Sequence, residues 1–350
     1  MNMKTIELVD GKKIGHNLPC FIVAEIGNNH QGKLDLAKEM ILAAAEAGAN
    51  GVKLQKRHTD ALLSEEGKNA PYTGGNSFGA TYGEHRNALE LSVEEMAELK
   101  NLAHRLGLVF FASAWDHVSV EHMREIGWDM AKICSADLVN IPMLRQVGKM
   151  NIPIILSTGM STWGEIDRAV KELCSFHEQL ILLHCNSSYP CPEEEIALPV
   201  MDKLRTKYAL PVGYSGHERG FAPTLAAVAR GACVVERHFT LNKDLPGTDH
   251  QVSLEPEQLR SLVTMIREVE SALEVKDKRV GQKEQNAAQK LRKSIVAGRD
   301  IPGGHVLTEK DLTVKSPGTG MSPLKWDEIL GKRVRVAIPR DNQITLDHIE

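Results

Sequence analysis

Two lysines and two histidines stand at or near the ends of apolar, β-prone runs. Lys53 follows Val52 in GVKLQ, and Lys132 follows Ala131 in MAKICS. A lysine inside such a run is costly unless it is paired or holds an anion. Serines recur at matching places: Ser113, Ser135, Ser157, Ser187 and Ser215, with Asn186 next to Ser187. Two ammonium groups with several hydroxyls suit a phosphate and a carboxylate. The structural alternative is that the lysines pair with Glu25 or Glu236. His217 and His238 end two successive runs, and two neutral imidazoles that converge suit a divalent metal. Glu25 in FIVAEIGN and Asp249 in KDLPGTDHQ add carboxylates that can orient water, hold a hydroxyl or bind that metal.

These residues need a scaffold that gathers run ends. The strand candidates are FIVAEIGN (21–28), GVKLQ (51–55), LVFFASA (108–114), MAKICS (130–135), PIILSTG (153–159), QLILLHCN (179–186), PVGYSG (211–216) and VVERHFT (234–240). Helical periodicity appears at 34–48, 92–107, 163–176 and 256–274. Eight β-runs alternating with helices over about 255 residues is the arithmetic of an α/β protein of the (β/α)8 TIM-barrel class. The runs are nearly continuous in apolar residues, as in a parallel sheet covered on both faces. A doubly wound sheet is the rival, and no GxGxxG follows a strand to favour its dinucleotide-binding form. In a barrel, chemistry sits at the C-terminal strand ends. The polar residues named above gather there, together with Asn28, Asn29, His30, Gln55, Asp116, Thr158 and Ser188.

An Asp10-Gly11 turn between short β-prone runs predicts an N-terminal hairpin. The insert at 58–90 is rich in Gly and polar residues, and such loops are more often functional than idle. Its Asn76, Tyr82, His85 and Arg86 either line the substrate end or serve the loop alone. The expected division is a barrel domain over 1–275, a polar linker over 276–291 and a small domain over 292–350. The first half of the linker reads equally as a continuation of the last barrel helix.

The 350 residues carry 42 basic and 46 acidic side chains, a net charge of −4. That argues against a broadly nucleic-acid-coated protein. Aromatic residues are 5% of the chain, too few for stacking platforms. No apolar run reaches the length of a membrane span, and the N-terminus has no signal-peptide core. The six cysteines form no C-x-x-C pair and read as reduced thiols of a cytoplasmic protein.

FIVAEIGNNHQG, VKLQ, ICSADL, ILSTGM, LLHCNSSYP, VGYSGH and ERHFT, in that order, resemble the sialic acid synthase family. KSPGTGMSP and ILGKRVRVAI resemble the antifreeze-like, or SAF, domain that follows the barrel in that family. The resemblance implies condensation of phosphoenolpyruvate with an open-chain mannosamine-type sugar. It implies a divalent ion, Mn2+ with Mg2+ or Co2+ as alternatives, on His217 and His238. It carries phosphoenolpyruvate contacts to Lys53, Ser113, Lys132, Ser135, Ser157 and Ser215, and to Asn186 or Ser187. Sugar contacts fall on Glu25, Gln55, Tyr189 and Asp249, with Asn76, Lys315 and Ser316 as further candidates. Glu25 is the expected proton-handling residue. A domain-swapped homodimer is implied, with no nucleic acid or membrane partner. Ser316 stands where family members often carry an arginine, so the sugar's N-acyl group, or its absence, stays open. A synthase using an unacylated aldose and a catalytically inert carbohydrate-binding homologue are the alternative readings.

Overall fold

A computed structural model describes residues 4–8, 10–275 and 277–350. It divides into two compact units, Met1–Glu274 and Val275–Glu350. In the first, β1 (Thr5–Glu7) and β2 (Lys13–Gly15) form the expected antiparallel hairpin. Eight parallel strands then close a barrel: β3 (Phe21–Gly27), β4 (Gly51–Lys56), β5 (Val109–Ala114), β6 (Ala131–Ile133), β7 (Ile154–Ser157), β8 (Leu180–Cys185), β9 (Val212–Gly216) and β10 (Val234–His238). β10 pairs with β3, which places His238 opposite Glu25. All eight expected strands are present, each trimmed or shifted by a few residues at its ends.

The side-chain period of two explains how one strand serves two environments. Ile22, Ala24, Val52, Leu54, Phe110 and Ala112 join the large cluster beneath the helices. Phe21, Val23, Val109, Phe111, Ile155 and Val234 form a second cluster inside the barrel, with Ile6, Leu8 and Ile14 of the hairpin. The hairpin therefore packs with the lower barrel interior. Continuing upward on the inner face, Val23 is followed by Glu25, Phe111 by Ser113, Ile155 by Ser157, and Val234 by Glu236 and His238. The barrel interior changes from apolar to polar along its length.

The covering helices start where the sequence supplies caps. Ser92 with Glu95 opens the helix Val93–Arg105, and Thr162 with Glu165 opens Trp163–Cys174, both as reciprocal capping boxes. The insert at 58–90 is not plain loop: it contains the short helices Thr59–Leu62, Glu65–Asn69 and Tyr82–Ala88.

In the second unit, β11 (Ser294–Ala297) and β12 (Leu312–Lys315) pair antiparallel. Isolated bridges and a core of Ile295, Ile301, Leu307, Ile338 and Ile344 complete it. The stretch expected as linker contains a helix, Gln282–Leu291. That helix belongs to the second unit: the Gln289 carbonyl accepts a hydrogen bond from Gly318 N at 2.8 Å. Ser316 Oγ likewise donates to the Leu291 carbonyl at 3.3 Å. Contact with the small unit, rather than polarity, decides where this segment lies. No described helix is long and apolar enough to cross a membrane, and the six cysteines are free thiols.

Candidate active site

The polar end of the barrel holds an inner chamber of about 210 Å3. Glu25, Lys53, Gln55, Ser113, Lys132, Ser135, Ser157, Ser187, Tyr189, Ser215, His217 and His238 line it, with Glu236. Twelve of the residues expected for the site thus meet in one cavity.

Charge is balanced across strands. Lys53, 3% exposed, sits 2.6 Å from Glu25, itself 1% exposed. Lys53 donates to Ser113 Oγ at 3.1 Å, and Lys132 donates to Ser157 Oγ at 2.8 Å. Glu236 lies 3.9 Å from both lysine nitrogens and accepts from Ser215 Oγ at 3.2 Å. Pairing of the lysines with carboxylates and their exposure to one cavity coexist. The Glu25 contact is short, while the Glu236 contacts are long enough to leave ammonium protons for another acceptor.

The same arrangement sets the protonation. Burial pushes the Glu25 carboxyl up to about 7; Lys53 opposes this and the Glu236 charge adds to it. Burial acts on Glu236 too, but Lys132 and Lys53 outweigh it and hold that carboxyl below its ordinary value. Burial alone would lower the Lys53 ammonium, yet Glu236 and Glu25 raise it. The chamber therefore keeps one carboxyl near its titration point beside a fixed carboxylate, an arrangement that separates acid and base roles.

Two glycines make room for these groups. Gly27 has φ +55°, and the β3–β4 register shifts between Glu25 and Gly27. A Cβ there would lie 3.1 Å from Gln55 Nε2 and 3.2 Å from Glu25 Oε1. Gln55 instead donates to Glu25 Oε1 at 2.9 Å and fixes its orientation. A Cβ on Gly159 would lie 2.5 Å from Ser187 Oγ and 2.8 Å from Ser135 Oγ. Its bare backbone N donates to Ser135 Oγ at 3.0 Å.

The histidines stand together, with ring centroids 5.4 Å apart. His217 Nδ1 donates to the Asn186 carbonyl at 2.7 Å, which leaves Nε2 as a lone-pair donor. His238 is held neutral mainly by burial, and its Nδ1 is buried without a hydrogen-bond partner. This donor chemistry fits a divalent ion that takes its other ligands from water or substrate. Among the described residues no three His, Cys, Asp or Glu side chains are gathered for a metal.

Ser187 and Asn186 separate clearly. Ser187 lines the chamber, whereas the Asn186 side chain donates to the Glu195 carbonyl at 3.1 Å and accepts from Ser188 N. Asn186 is thus turned into its own loop and meets the site through the backbone carbonyl that orients His217. Asn76 is likewise occupied: its Oδ1 accepts from Gly247 N at 3.0 Å. It ties the 58–90 insert to the loop that carries Asp249. Lys315 and Ser316 belong to the second unit, where Lys315 pairs with Asp341 and Ser316 accepts from Lys293 Nζ at 2.8 Å. Asn29 and Asp116 are also structural, bonded to Phe239 O and Ser253, and to His58 N and Ser119 respectively.

A second, outer chamber of about 210 Å3 shares Gln55, Trp115, Tyr189 and His238 with the first. Asp249, Asn28, Arg57, His85 and Arg86 also line it. The Tyr189 ring lies 4.1 Å from the His217 ring and 5.8 Å from that of His238. Sequence reasoning passed over Arg57 and Trp115. Both follow directly on strand runs, so the rule that selects strand-end residues would have reached them. Arg57 packs its guanidinium 4.3 Å from the Trp115 ring centre.

Residues 40–278 match the model of the NeuB family and residues 292–350 match the SAF domain. The chain is 39% identical to human N-acetylneuraminate-9-phosphate synthase, over 97% of this chain and 95% of that one. It is 40% identical to N,N'-diacetyllegionaminic acid synthase of Campylobacter jejuni, over 89% of this chain and 94% of that one. The crystal structure of the N-acetylneuraminic acid synthetase of Leptospira borgpetersenii, solved with citrate, superposes with a TM-score of 0.72 at 34% identity. It covers 81% of this chain and 95% of that one.

Proposed function

The chain belongs to the NeuB family and ends in a SAF domain, and from that premise we propose that it condenses phosphoenolpyruvate with an open-chain mannosamine-type sugar. The products are a nonulosonic acid and inorganic phosphate. One observation supports the reading: Lys53 and Lys132, each beside a serine hydroxyl, face one chamber that shares Gln55, Trp115, Tyr189 and His238 with a second. The inner chamber takes the doubly anionic phosphoenolpyruvate. Its phosphate and carboxylate draw on Lys53, Lys132, Ser113, Ser135, Ser157, Ser187 and Ser215. The outer chamber takes the sugar, with Gln55, Tyr189 and Asp249 at its hydroxyls.

C3 of phosphoenolpyruvate attacks the aldehyde carbon, and the new C–C bond leaves positive character at C2. Water adds at C2 as Glu25 accepts its proton. The tetrahedral adduct then expels phosphate by C–O cleavage, and the two lysines stabilise the departing charge. His217 and His238 would hold a divalent ion, Mn2+ being the first candidate, which when bound supplies Lewis-acid polarisation of the aldehyde oxygen. The same proposal includes a cytoplasmic setting and a domain-swapped homodimer, through which Lys315 and Ser316 would reach the sugar of a second copy.

The direct test incubates the full chain with phosphoenolpyruvate, Mn2+ and a panel of N-acylated and unacylated aldoses. Phosphate release with a coincident 2-keto acid product, seen by mass spectrometry, supports the reading. Binding of sugar without any turnover would favour the carbohydrate-binding alternative.

Three variants probe the assigned roles. His217→Ala and His238→Ala are each expected to abolish turnover and to lose bound Mn2+ in equilibrium dialysis. Full metal occupancy in both would remove the metal assignment. Glu25→Gln addresses the proton. Glu25 gains a proton as pH falls through about 7, so a role as base makes wild-type kcat/KM decline below that pH. The variant should lose about 10²–10⁴ in rate, the usual contribution of general acid–base catalysis. It should also lose that acidic limb; a limb that persists unchanged would assign it to another group.

A further inference from the structure

The chain runs out of sheet just before it reaches His217. Pairing of β9 with β8 ends at Ser215, opposite Cys185, and pairing of β9 with β10 ends at Gly216, opposite Arg237. His217 therefore lies past the end of strand pairing on both edges. His238 is held differently: β10 stays paired with β3 as far as His238 itself, opposite Glu25. The two imidazoles nevertheless stand with ring centroids 5.4 Å apart. A fixed spacing between them needs a tie from the unpaired segment to β10. His217 is otherwise held by the loop after β8: its Nδ1 donates to the Asn186 carbonyl at 2.7 Å, and its own carbonyl accepts from Cys191 N at 3.0 Å.

Arg237 supplies that tie. It precedes His238 and, by the alternation of the strand, turns to the opposite face. Its Nη2 donates to the Glu218 carbonyl at 2.8 Å, and its Nη1 donates to the Gly220 carbonyl at 2.9 Å. Both bonds reach backbone on the far side of His217, where strand hydrogen bonds have stopped. The Glu218 side chain folds back onto the same guanidinium, with Oε1 3.1 Å from Nη1. It also accepts from Thr224 Oγ1 at 2.6 Å and from Tyr214 OH at 2.8 Å. Arg237 is 1% exposed and Glu218 is fully buried, so water cannot replace these partners. Gly216 is part of the fit: a Cβ there would lie 2.5 Å from Glu218 Oε2 and 2.7 Å from the Tyr214 ring.

Resting on the reading of His217 and His238 as holders of a divalent ion, we infer that Arg237 and Glu218 are positioning residues that fix His217 relative to His238 and thereby set the affinity for that ion. Neither side chain lines either chamber, so their effect passes through the backbone on which His217 stands. Without the tie, the ion itself would have to order that segment, and the ordering cost would be subtracted from its binding.

The experiment uses the full chain as wild type, Arg237→Lys, Glu218→Gln and Thr224→Val, at a temperature well below each Tm. Mn2+ affinity is measured by equilibrium dialysis. Imidazole ring signals are recorded by NMR on metal-free protein and assigned through His217→Ala and His238→Ala. A lysine ammonium cannot span both carbonyls as the planar fork does. Arg237→Lys should therefore weaken Mn2+ binding by about 10- to 100-fold, the usual effect of losing an outer partner of a metal ligand. It should move the His217 signal more than that of His238, which β3 still holds. Glu218→Gln, isosteric and uncharged, should do the same to a smaller extent, and it stands in if Arg237→Lys does not fold. Thr224→Val removes a hydrogen bond from each charged partner but spares both carbonyl bonds, so it should lower Tm and leave Mn2+ affinity and the His217 signal close to wild type. Unchanged Mn2+ affinity with an unmoved His217 signal in Arg237→Lys overturns the inference, as does a loss of affinity in Thr224→Val in proportion to its Tm. A wild type that takes up no Mn2+ would sink the metal reading alone. The His217 signal then decides the positioning role: moved in Arg237→Lys but not in Thr224→Val it supports that role, and unmoved it refutes it.

Discussion

Arg237→Met is expected to destabilise the barrel by about 3–5 kcal/mol, the usual consequence of removing one partner of a buried ion pair. Arg237 is 1% exposed and Glu218 is fully buried. Their side chains meet at 3.1 Å. Arg237 also donates to the carbonyls of Glu218 and Gly220 and to Thr224 Oγ1, all within 2.9 Å. Glu218 in turn accepts from Tyr214 OH and Thr224 Oγ1. Methionine would fill most of the volume but leave a carboxylate without its counter-charge. At about 2–4 °C per kcal/mol for a domain of this size, Tm should fall by roughly 6–20 °C. Calorimetry or circular dichroism measures it. Adding Glu218→Gln to Arg237→Met should recover part of the loss, because the orphan charge is then gone. A single variant with wild-type Tm would show that the network is dispensable. The network joins the segment after β9, which starts at His217, to β10, which ends at His238. Its two charged members are the chain neighbours of the histidines, Glu218 following His217 and Arg237 preceding His238.

Lys132→Ala should impair the use of phosphoenolpyruvate strongly while leaving the fold intact. We expect kcat/KM for phosphoenolpyruvate to fall by about 10²–10³, the range seen when one preorganised charge-stabilising donor is removed. The sugar KM should change far less, because Lys132 lines only the inner chamber. Glu236 retains Lys53 at 3.9 Å and Ser215 at 3.2 Å, so it is not abandoned as Glu218 would be. Steady-state kinetics with each substrate varied in turn, alongside Tm, separates the two effects. Equal losses toward both substrates, or a Tm drop as large as that of Arg237→Met, would make Lys132 a structural residue. The ion pairs of both lysines do not argue against ligand binding. A dianion entering the chamber competes with Glu236 at 3.9 Å more easily than with Glu25 at 2.6 Å from Lys53. Lys132 is therefore the freer of the two for the incoming phosphate or carboxylate.

The strands were legible because each is a short apolar run ended by polar or turn residues. The inward-facing polar residues were legible because the period of two sends Phe21, Val23 and Glu25 to one face and Ile22 and Ala24 to the other. The same rule places Arg237, between Glu236 and His238, on the outer face. A list of polar strand ends does not apply that distinction unless each residue is assigned a side. Polarity alone also failed for Asn76, Asn186 and Asp116, whose side chains bond to nearby loops and helix starts. Short amide and carboxylate side chains bond readily to backbone groups, two or three residues away for Asn186 and Asp116 and across to a separate loop for Asn76, and such bonds compete with a role in the cavity. Helix Gln282–Leu291 was hidden for a different reason. It has no buried residue, so it leaves little apolar stripe to detect.

By itself, then, the sequence determined the barrel, its hairpin, the small second domain and the residue types at the polar end. All of these follow from local periodicity and from how far an apolar run extends before a polar residue ends it. Only the tertiary structure decided which charges face one another. Closing β10 against β3 brings His238 beside Glu25 and places Glu236 between the two lysines. It also decided that Ser187 rather than Asn186 lines the inner chamber, that Arg237 is held by Glu218, and that Arg86 stands in the outer chamber with an unsatisfied N–H. The physical reason is that ion pairing and desolvation depend on distances across the closed barrel, between residues far apart in the chain, and no spacing along the sequence encodes them.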